Sequence, residues 1–86
     1  MVMKVRKRTE LGRYIVADPE ICHGQLTFTG TRIMVKSVLY YVAQGKDWEW
    51  ISQAYLGKIG REAITEAVSL ASDALLEKMG ERRRAA

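Results

Sequence analysis

The chain has 86 residues, enough for one small domain with a modest core, so self-association is expected. Its 48% hydrophobic and 28% charged residues are those of an ordinary soluble globular chain. No apolar run approaches the roughly 20 residues needed to span a bilayer. The first residues, "MVMKVRKR", lack the apolar segment of a signal peptide. A single cysteine, Cys22, excludes an internal disulfide framework, and the expectation is a reducing cytoplasm.

The net charge of +4 is unevenly distributed. Lys4, Arg6, Lys7 and Arg8 crowd the first eight residues, and Arg82, Arg83 and Arg84 lie near the end. Between these runs seven basic residues face ten acidic ones, so the excess of positive charge belongs to the ends. Basic runs of this kind attract phosphate backbones through counterion release and need no fixed structure to do so. They also aid solubility without any partner. This divides the chain into a basic arm over residues 1–13, a folded part over 14–79 and a basic tail over 80–86.

From Tyr14 to Val35 the signals are those of short extended segments: "YIVA", a turn at Asp18-Pro19-Glu20, then "QLTF" and "RIMV". Leu26 and Phe28 alternate with Thr27 and Thr29, the period of a half-buried strand. Strands this short need helices or a second copy to pack against. Next to them stands the tetrad "TGTR". Gly30 can take a positive backbone angle and Thr31 can hydrogen-bond nearby backbone. Arg32 can organise the turn by pairing with a carboxylate such as Asp18, or it can grip a phosphate or a partner.

The remainder reads as helix. Val38, Leu39 and Val42 share a face of a first helix over about residues 36–44, which Gly45 ends. Asp47 stands where it would cap a second helix over about 47–56, striped by Trp48, Ile51 and Tyr55 and ended by Gly57. A third helix over about 60–79 carries Ile64, Val68, Ala71, Leu75 and Met79 at helical spacing. Ala63, Ala67, Leu70 and Ala74 widen that stripe, which predicts one surface for the domain and one for a partner.

A short helix, a turn and a longer helix are the layout of a helix-turn-helix DNA reader, whose last helix begins in the major groove. Lys58, Arg61, Glu62 and Thr65 would lie near that start. Arg61 suits guanine or phosphate and Lys58 suits phosphate, whereas Glu62 and Glu66 would repel a backbone. With the arm residues Arg6, Lys7 and Arg8, these make the candidate DNA contacts Arg6, Lys7, Arg8, Lys58, Arg61 and Thr65. Asp18, Gly30, Thr31 and Arg32 form a second candidate group, structural or partner-binding.

Catalytic readings find little support. Cys22 and His23 are adjacent, and no further Cys or His exists to complete a zinc site, so neither a metal nor another cofactor is expected. A Cys–His nucleophile pair has no third group, and the scattered glycines make no phosphate loop.

The stretch from Tyr14 to Leu75 resembles the domain-of-unknown-function family numbered 433, on Asp18-Pro19, Cys22, Gly24, the "GTRI" run of Gly30 to Ile33, Val35, Gly45, Glu49, Ile51, Tyr55 and Ala67. The chain departs from that family's pattern in two ways. Thr27 and Met34 stand where many relatives carry proline, and "LGKIGREAI" lacks the usual proline before the last helix. The resemblance implies a mainly α fold, a three-helix homeodomain-like helix-turn-helix bundle preceded by a short strand or extended arm. It also implies an antitoxin role beside a toxin of the PIN-nuclease type. Two function classes follow. One is a DNA-binding antitoxin that represses its own operon as a homodimer or higher homo-oligomer on double-stranded DNA. The other is an interaction module that covers a toxin or another partner without touching DNA.

Overall fold

The computed structural model describes residues 7–80. Three short strands, β1 (Thr9–Glu10), β2 (Ile15–Ala17) and β3 (Leu26–Phe28), form an antiparallel sheet in the order β1-β2-β3. A single 3-10 turn at Cys22–Gly24 separates β2 from β3. The helices α1 (Val35–Ala43), α2 (Trp48–Ala54) and α3 (Arg61–Lys78) follow. The chain is thus three helices carrying a small sheet.

Register explains how the sheet meets the helices. Ile15 pairs with Phe28 and Val16 with Thr27. Because side chains alternate across a strand, Ile15 and Phe28 share one face while Val16 and Thr27 share the other. Ile15 and Phe28 join Val35, Val38, Ile51, Ile59, Ala63, Ile64 and Ala67 in one core. Ile51 and Ile64 are wholly buried, each burial contributing about 1.5–3 kcal/mol. The opposite face buries Thr27 completely, and its hydroxyl has no hydrogen-bond partner among the described residues.

The structure corrects several expectations from the sequence. Thr9 and Glu10 of the basic arm belong to the sheet as an edge strand beside β2. "RIMV" is not a strand: Met34 makes one isolated bridge to Thr27, and Val35 already opens α1 with its side chain in the core. Ala63 and Ala67 are buried inside the chain's own core, so they offer no surface to a partner. The large apolar residues exposed at the end of α3 are instead Leu75 and, at its C-cap, Met79.

Helix ends follow backbone chemistry. Gly45, at φ +83°, closes α1, with its N–H on the Val42 carbonyl and the Lys46 N–H on the Tyr41 carbonyl. The same pair of bonds closes α2, from Leu56 N–H to Gln53 and from Gly57 N–H to Ser52. There Gly57 is left-handed as expected, at φ +74°, and Leu56 before it is left-handed as well, at φ +57°. Asp47 stands at the N-cap of α2 but its carboxylate makes no capping bond.

Candidate nucleic-acid interface

The turn from Tyr55 to Gly60 joins α2 to α3 and is pinned from inside. Ile59 is buried in the core, and its carbonyl accepts the Ser52 hydroxyl at 2.7 Å. The flanking Lys58 is exposed, its backbone N–H held by the Tyr55 carbonyl at 3.0 Å. Gly60 caps α3 in an extended conformation without a side-chain bond. One residue on, Arg61 lays its guanidinium over the Trp48 ring, 5.5 Å from the centroid. That contact steadies a cation that remains exposed. Thr65 is also exposed, but its hydroxyl donates to the Arg61 carbonyl at 2.9 Å.

Glu66 does not present its charge at this end of α3. Its Oε2 accepts the Arg13 N–H at 2.9 Å and its Oε1 accepts the Tyr14 N–H at 2.7 Å. The carboxylate expected from the sequence to repel phosphate instead ties the β1–β2 turn to the helix. Glu62 remains exposed in the first turn of α3.

The "TGTR" tetrad forms a closed loop. Phe28 to Thr31 is a β-turn, with the Thr31 N–H on the Phe28 carbonyl and Gly30 at φ +81°, as a type II turn requires. The Thr31 hydroxyl donates to the Phe28 carbonyl at 2.8 Å and accepts the Ile33 N–H at 2.9 Å. Arg32 is exposed at its edge. No ion pair joins Arg32 to Asp18; the Asp18 carboxylate accepts the Glu20 N–H at 2.9 Å in its own turn. Arg32 and Lys58 instead line one open depression, together with Gly30, Thr31 and Ile33.

In the arm, Lys7 and Arg8 are exposed, and Arg8 reaches the Glu10 carboxylate at 3.4 Å, a surface contact of little energetic weight. Arg6 and the arginines of the tail lie outside the described residues. The Cys22 thiol, half-buried, contacts the Arg32 carbonyl at 3.7 Å, and His23 is exposed. Among the described residues no group of three or more His, Cys, Asp or Glu could hold a metal ion, and no helix is long and apolar enough to cross a membrane.

An aromatic cluster between α1 and α2 is not anticipated from the sequence. Tyr41 packs edge-on against Trp50, centroids 5.3 Å apart, and against Tyr55 at 6.4 Å, with Tyr40 beside it and Lys46 over Trp50. Burial pushes the Tyr55 hydroxyl above its ordinary value, and the neighbouring Tyr41 adds to the rise. Four aromatics close in sequence on α1 and α2 were the available signal. Tyr41 and Tyr55 pack against the core, while Tyr40 and Trp50 stay substantially exposed, 62% and 43%, and give the cluster its surface.

The model of one protein family, described as a protein of unknown function (DUF433), matches residues 15–71, from the start of β2 into α3. No curated protein and no solved structure matches the chain.

Proposed function

We propose that this protein, which belongs to the DUF433 family, is a DNA-binding antitoxin that represses its own toxin–antitoxin operon. In this reading α2, the turn and α3 act as a homeodomain-like helix-turn-helix, and the start of α3 enters the major groove. The observation that carries it is the pair of cations at that start. Lys58 and Arg61 are exposed, neither is in an ion pair among the described residues, and Arg61 is held in place by Trp48. A guanidinium already ordered loses less freedom when it bonds a guanine edge. The diversion of Glu66 to the β1–β2 turn supports the reading, since it takes one negative charge away from the same end of the helix.

A homodimer follows from the same account, because readers of this layout bind paired half-sites. Leu75 and Met79, exposed at the far end of α3, are the apolar residues a second copy would cover. The toxin, of PIN-nuclease type, would dock on the exposed aromatics Tyr40 and Trp50. Those aromatics also favour the second reading, a module that covers a protein partner without binding DNA.

Fluorescence anisotropy on promoter and shuffled duplexes tests the assignment. Arg61→Ala reduces preference for the promoter by about 1–3 kcal/mol if Arg61 reads a base. Removing Arg6, Lys7 and Arg8 weakens binding to every sequence and flattens the salt slope by roughly 0.9 for each phosphate no longer neutralised. Unchanged preference in Arg61→Ala removes the start of α3 as the reader. Absence of promoter binding leaves the interaction module.

A further inference from the structure

We infer that the depression between the Phe28–Ile33 loop and the turn before α3 is a phosphate site, where Arg32 and Lys58 together grip one backbone phosphate of a nucleic acid. The two cations come from distant parts of the sequence and line the same hollow, whose lining carries no carboxylate among the described residues. Neither is in an ion pair among those residues. An anion in the hollow would be attracted by both cations. Arg32 offers a planar fork of donors and Lys58 a compact charge, a combination suited to the several oxygens of a phosphate.

The site is preorganised on both sides. Arg32 lies between the Thr31 hydroxyl bonds and Ile33, whose carbonyl accepts the Phe28 N–H at 3.0 Å, and its own carbonyl meets the Cys22 thiol. Lys58 precedes the buried Ile59, which Ser52 holds. Rigid backbones leave only the two side chains to order on binding. Thr29, exposed on the same lining, supplies a hydroxyl donor. The hollow is open to solvent, so it suits a group carried on a large ligand better than a small molecule enclosed on all sides. Lys58 stands three residues before Arg61, so the gripped phosphate would flank the groove that α3 enters. The assignment rests on the DNA-binding reading for its ligand, and the site itself can be tested without it.

Two arms separate these questions, using the full chain, Arg32→Ala, Lys58→Ala and the double variant; both side chains are exposed, so folding is checked by circular dichroism alone. In duplex titrations from 50 to 300 mM salt, the double variant should flatten the salt slope by about 0.9, the value for one phosphate, with promoter preference unchanged. An unchanged slope overturns the assignment. In nuclear magnetic resonance titrations with a thymidine dinucleotide, the amides of Gly30, Thr31, Ile33 and Lys58 should shift, and the shifts should vanish in the double variant. Should the wild-type chain ignore duplex DNA yet show these shifts, the phosphate site stands and the duplex reading falls. Absence of the shifts overturns the site.

Discussion

Glu66→Ala should unfold the protein more readily than any surface substitution on α3. The carboxylate bonds two successive backbone N–H groups, of Arg13 at 2.9 Å and Tyr14 at 2.7 Å, and so anchors the β1–β2 turn to the helix. Hydrogen bonds to a charged group contribute about 1.5–3 kcal/mol each. The Arg13 N–H is exposed and can turn to water, whereas the Tyr14 N–H is partly buried and cannot do so fully. The expected loss is therefore about 2–3 kcal/mol, not the sum of two full bonds. For a domain of this size each kcal/mol moves the midpoint by about 4–8 °C, so the thermal midpoint should fall by roughly 8–24 °C. Gly12 supplies the control. A Cβ there would come within 2.6 Å of the Glu66 carboxyl carbon, so Gly12→Ala must displace the carboxylate and break the same bonds. In the Glu66→Ala background, Gly12→Ala should then cost almost nothing. Additive losses in the double variant, or a loss below about 0.5 kcal/mol for Glu66→Ala, would refute the clamp.

Three further outcomes can be checked by urea or thermal denaturation. Thr27→Val, which removes a buried hydroxyl without a partner, should stabilise by about 1 kcal/mol; destabilisation would mean that the hydroxyl is satisfied. Leu56→Gly should stabilise by about 0.5–1 kcal/mol, because Leu56 holds φ +57° while 83% exposed, and a lower urea midpoint would count against strain there. The raised Tyr55 hydroxyl favours the neutral form in the folded state, so its contribution is complete below pH 10.0 and is lost as pH rises through the higher folded value. Tyr55→Phe should remove that alkaline loss, and an unchanged pH profile in the variant would refute its origin in Tyr55.

The helices were legible because each buries a periodic stripe: Val38 in α1, Ile51 in α2, and Ile64 with Ala67 in α3 all reach the core. Strand β1 was not legible. Thr9 and Glu10 are both exposed, and only their pairing with Ala17 and Val16 makes them a strand. "RIMV" misleads because β-branched residues also suit a helix start whose first side chain, Val35, is needed in the core. Gly57 pointed correctly to the end of α2, at φ +74°, but nothing in the residue type of Leu56 announced that it too would be left-handed, at φ +57°.

For the candidate site, the cations Lys58 and Arg61 could be read from their place before a helix. Their surroundings could not. Trp48 beneath Arg61 and Glu66 turned to the backbone of Arg13 and Tyr14 are contacts between separate segments of the chain, and Arg32 and Lys58, from separate segments, line one depression. Only the fold brings them together. Asp18 shows the opposite case: its bond to the Glu20 N–H, two residues away, is the local turn contact that an aspartate before proline offers.

The most direct test of the DNA-binding account is anisotropy of the intact chain on a duplex from its own promoter and on a shuffled duplex of equal composition, over a range of salt. The account predicts binding that weakens steeply with salt on both duplexes, and an affinity for the promoter about 10³-fold higher or more. Equal affinity for the two duplexes, or binding that salt leaves unchanged, would contradict it.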